Sequence, residues 1–156
     1  MAKVTIDEID RKILRYLVEN ARMPFLEIAR ECGISGAAIH QRVKKLDEAG
    51  VILGSKIDID PRLLGYDVCA IIGVQLKDPA SNDDTIARLK EINEIVECHF
   101  IAGHYSILLK VYCRDNDHMM HTLFDKIRKI PTIYDTETFI SLMEPFSRQV
   151  FIDDNL

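Results

Sequence analysis

Apolar residues along the chain follow two different periods, and the change falls near residue 50. Ile6, Ile9, Ile13 and Leu17 recur at the spacing of one helix face. Past Gly50, apolar and polar residues alternate, as in ILGSKIDID, and such alternation is typical of half-buried strands. The pattern therefore predicts an α+β chain with a helical first part and a strand-rich second part.

The first part carries the start and stop signals of three helices. The first helix opens in IDEIDRK and ends around Asn20, and Pro24 restarts the chain into a second helix. Ser35 is a good N-cap for a third helix, with Gly50 as its C-terminal stop. These signals predict a compact three-helix unit over residues 1–50.

The second and third helices have the spacing of a helix-turn-helix. Ala29 is small enough for two helices to cross closely, Gly33 suits a left-handed turn position, and Ile39 fills the angle between the helices. A unit of this kind can also serve only for packing. The basic character of its last helix favours a DNA-binding, winged-type helix-turn-helix domain.

In that last helix Ile39, Val43 and Leu46 form one apolar stripe, and no acid occurs from Ser35 through Leu46. The remaining positions carry small residues that allow close approach to the major groove, an amide that can pair with adenine, and cations that neutralise phosphates. The residues predicted to contact DNA are Ser35, Gly36, Ala37, Ala38, His40, Gln41, Arg42, Lys44 and Lys45.

The second part of the chain predicts a sheet domain. Residues 51–65 are interpreted as a linker strand followed by a turn at DPRLLG, and residues 66–156 as a second domain. Its elements alternate by type in the order β-α-β-β-α-β, which is that of a ferredoxin-like fold. They are a strand over 67–76, a helix over 83–92, strands over 96–102 and 106–113, a helix over 116–129 and a strand over 133–142.

Both faces of this predicted sheet are apolar. In the first strand Ala70, Ile72 and Val74 point one way, while Cys69 and Ile71 point the other. Helices cover only one face of a ferredoxin-like sheet, so the second face needs another cover. We predict that it meets a second copy of the chain, which would also place two DNA-reading units on a two-fold symmetric site.

The net charge of −5 conceals two different halves. Residues 1–50 hold nine Lys or Arg against eight Asp or Glu, whereas the remaining residues hold eleven against seventeen. We therefore expect DNA binding through a local basic patch, doubled by dimerisation and strongly dependent on salt.

Several classes of protein do not fit this sequence. The opening MAKVTIDEIDRK has no apolar core for a signal peptide, and no apolar run is long enough for a membrane span, so we expect a cytoplasmic protein without a membrane partner. The four cysteines lie far apart with no CxxC pair. We predict no disulfide and interpret them as small buried residues.

A short connection between two predicted strands, from Ala102 to Ser106, is the main candidate for ligand chemistry. Its Gly103 would bring backbone close to a small polar ligand, or would simply make a hairpin turn. Two alternatives stay open here. One is a metal-responsive regulator that uses His118, His121 and a cysteine, although no complete ligand set is visible. The other is a small enzyme, for which no nucleophile with its base occurs in a readable motif.

Four segments together resemble the Lrp/AsnC family, the feast/famine transcriptional regulators, over essentially the whole chain. They are IDEIDRKILRYL, NARMPFLEIARECGIS, RVKKLDEAGVI and IDIDPRLLGYDV. GHYSILLKVYCRD and DTETFISL are similar to the asparagine-responsive branch of that family. One departure is Ser106, because many relatives carry Asp at this position of the Gly-x-x-Asp motif.

The resemblance implies a DNA-binding domain joined to a domain that binds an amino acid and assembles dimers into octamers, without a cofactor. It further implies that the effector lies between dimers, with asparagine as the first candidate. The residues that the resemblance assigns to effector binding are Gly103, His104, Tyr105, Ser106, Thr136 and Thr138. It assigns no metal ligand and no catalytic residue.

Overall fold

The computed structural model describes residues 5–78, 80 and 82–153, and it begins with three helices. They are α1 (Glu8–Glu19), α2 (Phe25–Glu31) and α3 (Gly36–Glu48). Asp7 caps α1 in a capping box, in which its side chain accepts from the backbone N–H of Asp10 and the Asp10 side chain accepts from the backbone of Asp7. The predicted three-helix unit is thus present.

The turn between α2 and α3 has the predicted geometry. Gly33 has a φ of +66°, in the left-handed region that glycine tolerates without strain. Behind this turn Ile13, Ile28, Ala29 and Ile39 pack into one core with almost no exposed surface. The roles predicted for Gly33, Ala29 and Ile39 in the helix-turn-helix are therefore confirmed.

The linker differs from its prediction. Residues 52–60 run without a strand, although their alternating sequence resembles one. Leu53, Ile57 and Ile59 of this segment are all largely exposed. The alternating apolar residues therefore do not form a buried face of a sheet. The predicted turn is present as one 3-10 turn, Arg62–Leu64, which ends at Gly65.

The second part of the chain has the predicted order of elements. They are β1 (Val68–Leu76), α4 (Asn82–Lys90), β2 (Ile95–Phe100), β3 (Ile107–Cys113), α5 (Asn116–His121) and β4 (Ile133–Ser141). The helix α5 continues as a π-helix over Thr122–Ile127. The strands form one antiparallel sheet in the order β2-β3-β1-β4, as expected for a ferredoxin-like domain.

The two faces of the sheet differ as the alternation predicts. Ala70, Ile72 and Val74 of β1 are fully buried and pack with Leu89 of α4 and Met119 of α5. We call this side the helix face and the opposite side the open face. The open face holds several half-buried or exposed apolar side chains, namely Cys69, Ile71, Leu108, Tyr112 and Phe139.

The described chain divides into two compact units. One unit contains residues 59–145, and the other contains residues 5–58 together with 146–153. The end of the described chain therefore belongs with the helices, where Arg15 Nε donates to the carbonyl of Ile152 at 3.1 Å. The sequence predicts that this segment is part of the second domain, over 66–156. No helix among the described residues is long and apolar enough to cross a membrane.

Candidate DNA-binding and effector sites

The outer surface of α3 presents a small residue, an amide and an ammonium group. Ala37, Gln41 and Lys44 are exposed, and Lys44 makes a loose ion pair with Glu48, at 3.6 Å and one turn away on the same helix. An exposed pair of this type contributes little to stability, so Lys44 remains available to a phosphate. These three positions fit the predicted DNA-contacting surface.

Other predicted DNA-contacting residues have structural roles at the start of α3. The Ser35 hydroxyl caps the helix by accepting from the backbone N–H of Ala38 at 3.2 Å. A Cβ placed on Gly36 would lie 2.9 Å from Cδ2 at the end of the largely exposed Leu26 side chain, so Gly36 packs beside α2. His40 is exposed and lies edge-on to the ring of Phe25, with 5.1 Å between ring centroids.

Arg42 faces α1 and pairs with two carboxylates. Its Nη1 lies 2.6 Å from Asp7 Oδ2 and 2.7 Å from Asp10 Oδ1, and Asp10 is fully buried. Lys45 joins the same group, with Nζ 3.6 Å from Asp10 Oδ2 and a hydrogen bond to the Thr5 carbonyl. The hydrogen bond from Arg42 lowers the pKa of Asp7, and Asp7 and Asp10 in turn raise the pKa of Arg42.

The sequence does not predict this cluster of Asp7, Asp10, Arg42 and Lys45. Asp7 and Asp10 lie at the start of α1, where the helix dipole favours acidic side chains. Their positions in the sequence therefore suggest only that they stabilise the start of this helix. Arg42 follows more than thirty residues later, among cations that suit DNA. Only the crossing of α1 and α3 brings the three side chains together, and no local pattern in the sequence signals that crossing.

The loop between β2 and β3 holds four of the six predicted effector residues. Gly103 and His104 are exposed, while Tyr105 and Ser106 are half-buried. Gly103 does not have a positive φ, and a Cβ there would meet nothing within 4 Å. The fold of this chain therefore does not require glycine at position 103.

The aromatic residues of this loop lie on β1. A Cβ placed on Gly73 would be 2.7 Å from the Tyr105 ring, so the ring covers the bare backbone of the strand. His104 Nε2 lies 3.0 Å from Gln75 Nε2, and the His104 and Tyr105 rings meet edge to face. Ser106 continues the sheet, since its N–H donates to the Val74 carbonyl at 2.9 Å. Gly73 and Gln75 were not among the predicted site residues.

Thr136 and Thr138 lie on the other side of the sheet from Tyr105. They pair in register with Val74 and Ile72, whose side chains are on the helix face, whereas Tyr105 covers Gly73. Both threonine hydroxyls are buried and have no hydrogen-bond partner among the described residues. A single chain therefore does not bring the six predicted effector residues into one cluster.

The histidines considered for metal binding make separate pairs. His118 Nδ1 accepts from the backbone N–H of Arg114, and His118 Nε2 lies 2.9 Å from Glu94 Oε1. His121 pairs with Asp125 at 2.9 Å. Within the described ranges, no group of three or more His, Cys, Asp or Glu side chains is placed to hold a metal ion.

All four cysteines are free, namely Cys32, Cys69, Cys98 and Cys113. Only Cys113 is buried, and Cys98 is exposed, contrary to its prediction.

Both units match known domains. Residues 6–47 match the AsnC-type helix-turn-helix domain, and residues 69–151 match the Lrp/AsnC ligand binding domain. The chain is 42% identical over 150 residues to the regulatory protein AsnC of Escherichia coli strain K12, which covers 96% of this chain and 99% of the relative. These matches include the helix-turn-helix and most of the sheet.

Solved structures agree with these matches. The structure of E. coli AsnC has a TM-score of 0.88 and covers 94% of this chain and 99% of its own. The feast or famine regulatory protein of M. tuberculosis, complexed with L-methionine, is 30% identical with a TM-score of 0.88 and covers 96% of this chain and 100% of its own. These relatives are regulators rather than enzymes. The chain therefore belongs to the Lrp/AsnC family and is an AsnC-type DNA-binding transcriptional regulator.

Proposed function

We propose that this regulator reads DNA with the exposed face of α3 and changes its assembly or its DNA affinity when a small amino acid binds at Gly103–Ser106. Asparagine is the first candidate effector, because the relatives with 42% identity are AsnC proteins. Methionine is the second, because a relative with 30% identity was solved with it. The regulator would act in the cytoplasm, as a homodimer that assembles further into octamers.

The DNA-binding part of the proposal rests on Ala37, Gln41 and Lys44. They share the exposed face of one capped helix, where a small residue, a bidentate amide and an ammonium group suit the major groove. The other predicted contacts, Ser35, Gly36, Ala38, His40, Arg42 and Lys45, have partners or packing roles within the helical unit.

The single observation that carries the effector site is the unexplained glycine at position 103. Neither its backbone angle nor its surroundings require it, and with no side chain at position 103 nothing from that residue shields its backbone amide and carbonyl groups. The ammonium and carboxylate of an amino acid need such groups. Tyr105 and His104 beside it offer an apolar ring and a polar edge for the effector side chain.

Calorimetry with a panel of the twenty amino acids tests the effector. We expect heat with asparagine or methionine, and a loss of that heat in Gly103→Val, whose side chain would cover the open backbone. A useful control is Glu91→Gln, an exposed change in the turn that precedes β2, whereas the loop follows β2. Absence of heat with every amino acid, under conditions where the protein binds DNA, would contradict the effector proposal and leave DNA binding intact.

The assembly part of the proposal rests on the open face of the sheet. Ile71 of β1 pairs in register with Phe139 of β4, and Phe139 is 48% exposed. Leu108 of β3 lies on the same face, opposite Gly73. Exposed apolar side chains on neighbouring strands fit a second copy of the same sheet, related by a two-fold axis.

A further inference from the structure

Among the described residues of the helical unit, Asp10 is the one charged residue that is fully buried, and it lies directly behind the DNA-reading helix. Asp10 has no exposed surface, and both of its carboxylate oxygens have partners. Asp10 Oδ1 accepts a hydrogen bond from Arg42 Nη1 at 2.7 Å. Asp10 Oδ2 accepts from the backbone N–H of Asp7 at 3.2 Å and forms an ion pair with Lys45 Nζ at 3.6 Å. A buried carboxylate needs such partners, because desolvation without them is costly.

The charges of this cluster balance, so the cluster has little net positive charge with which to attract DNA. Arg42 and Lys45 supply two positive charges, and Asp7 and Asp10 supply two negative ones within 4 Å. The Arg42 side chain is only 28% exposed and turns its Nη1 inward. A cation neutralised in this way releases few counterions from DNA, whereas the more exposed Lys44 does not share this buried partner.

We propose that Arg42 is a positioning residue for DNA recognition, not a phosphate contact. Its guanidinium ties the middle of α3 to the capped start of α1 through buried Asp10, and this contact fixes the angle at which Gln41 and Lys44 face the groove. Nη1 of Arg42 donates to both Asp7 and Asp10, and the planar guanidinium holds this nitrogen in a fixed orientation that the freely rotating ammonium of lysine lacks. The inference rests on DNA binding by α3.

A double-mutant cycle on the full chain tests this inference. The variants are Asp10→Asn, Arg42→Gln and both together, and the probe is a random-sequence duplex pool of about three helical turns. The dissociation constant is measured over a range of salt concentrations. Circular dichroism identifies a temperature at which every variant remains helical, and all binding measurements are made at that temperature. If Arg42→Gln does not fold, Arg42→Lys is used in its place.

We expect Arg42→Gln or Arg42→Lys to weaken DNA binding about tenfold without changing the salt slope. The double variant should bind no more weakly than Arg42→Gln, because the two residues act through one contact. Lys44→Ala is the matched control on the same helix. It should reduce the salt slope by about one unit, as expected for a lost phosphate contact.

Two results would overturn the inference. One is a salt slope that falls by about one unit in Arg42→Gln, with an equal loss of affinity in the Asp10→Asn background. That result would make Arg42 a direct phosphate contact. The other is full retention of affinity in Arg42→Lys. If the unsubstituted protein does not bind the duplex pool at all, the proposal that α3 binds DNA is contradicted as well. That outcome is distinguishable because it is observed before any substitution is made.

Discussion

At the scale of single residues, Glu94 has the most perturbed carboxyl group in the sheet unit. Its side chain is only 11% exposed, and Oε1 accepts from Lys126 Nζ at 2.6 Å and from His118 Nε2 at 2.9 Å. Burial alone would raise the pKa of Glu94, but the hydrogen bonds from Lys126, the backbone and His118 outweigh it and lower the pKa from 4.5 to about 2. The charged form of Glu94 is therefore favoured by folding.

Glu94→Gln should accordingly destabilise the protein in a manner that depends on pH. Because the folded pKa lies below the unfolded one, the stabilisation is complete above about pH 4.5 and is lost as the pH falls towards 2. At pH 7 we expect the free energy of unfolding to drop by about 2 to 3 kcal/mol, and the difference from the unsubstituted protein to shrink in acid. Urea unfolding between pH 7 and pH 2.5 measures this. Glu91→Gln, at an exposed neighbouring residue, should change stability by less than about 0.5 kcal/mol.

Thr138 gives a second prediction at this scale. Its buried hydroxyl has no hydrogen-bond partner among the described residues, and valine has nearly the same shape. Thr138→Val should therefore raise the free energy of unfolding by about 1 kcal/mol, while Thr138→Ser should lower it through the lost methyl group. If the hydroxyl serves the effector site of an assembled oligomer, Thr138→Val should also lose effector heat in calorimetry. A marked destabilisation by Thr138→Val would show that the hydroxyl has a partner.

At the scale of elements, the loop between β2 and β3 is fixed by its contact with β1. The Tyr105 ring occupies the space that a Cβ on Gly73 would need, so the strand and the loop fit only because position 73 has no side chain. Gly103, in the same loop, is in open space. One glycine is therefore explained by packing inside the chain and the other is not.

Gly73→Ala and Gly103→Ala should consequently affect different properties of the protein. Gly73→Ala should lower the free energy of unfolding by about 1 to 3 kcal/mol, because the alanine methyl group collides with the Tyr105 ring, and removal of the ring in Gly73→Ala/Tyr105→Ala should relieve part of that loss. Gly103→Ala should leave stability within about 0.5 kcal/mol and weaken effector binding. Thermal unfolding and calorimetry on both variants separate the two. Equal stability losses would contradict this account.

Helices and strands could be predicted from the sequence where apolar side chains recur at a single period. Contacts between these elements could not. The alternation around Ala70, Ile72 and Val74 is enough to identify β1 and its buried face. The resemblance to the family is what groups Thr136 and Thr138 with the loop, and no sequence pattern shows on which side of the sheet their hydroxyls lie. Residues 52–60 alternate as a strand does but lack a partner strand in the described sheet.

At the scale of the whole molecule, self-association through the open face has a direct test. Ile71→Asp should convert the proposed oligomer to a smaller species, because two aspartates would be buried at the proposed two-fold symmetric interface. Light scattering measures the mass. Met120→Asp is the control, because Met120 is also exposed and apolar but belongs to α5. An unchanged mass for Ile71→Asp would mean that copies of the chain associate through another surface.

The path of the chain between its two units has a mechanical consequence. The helical unit takes residues from both ends of the described chain, and the sheet unit is inserted between them. A force applied to the two ends first loads the contact between the returning segment and α1, where Arg15 meets the Ile152 carbonyl. While that contact holds, the sheet carries no tension. In a single-molecule pulling experiment, detachment of this segment should therefore precede any extension that comes from the sheet.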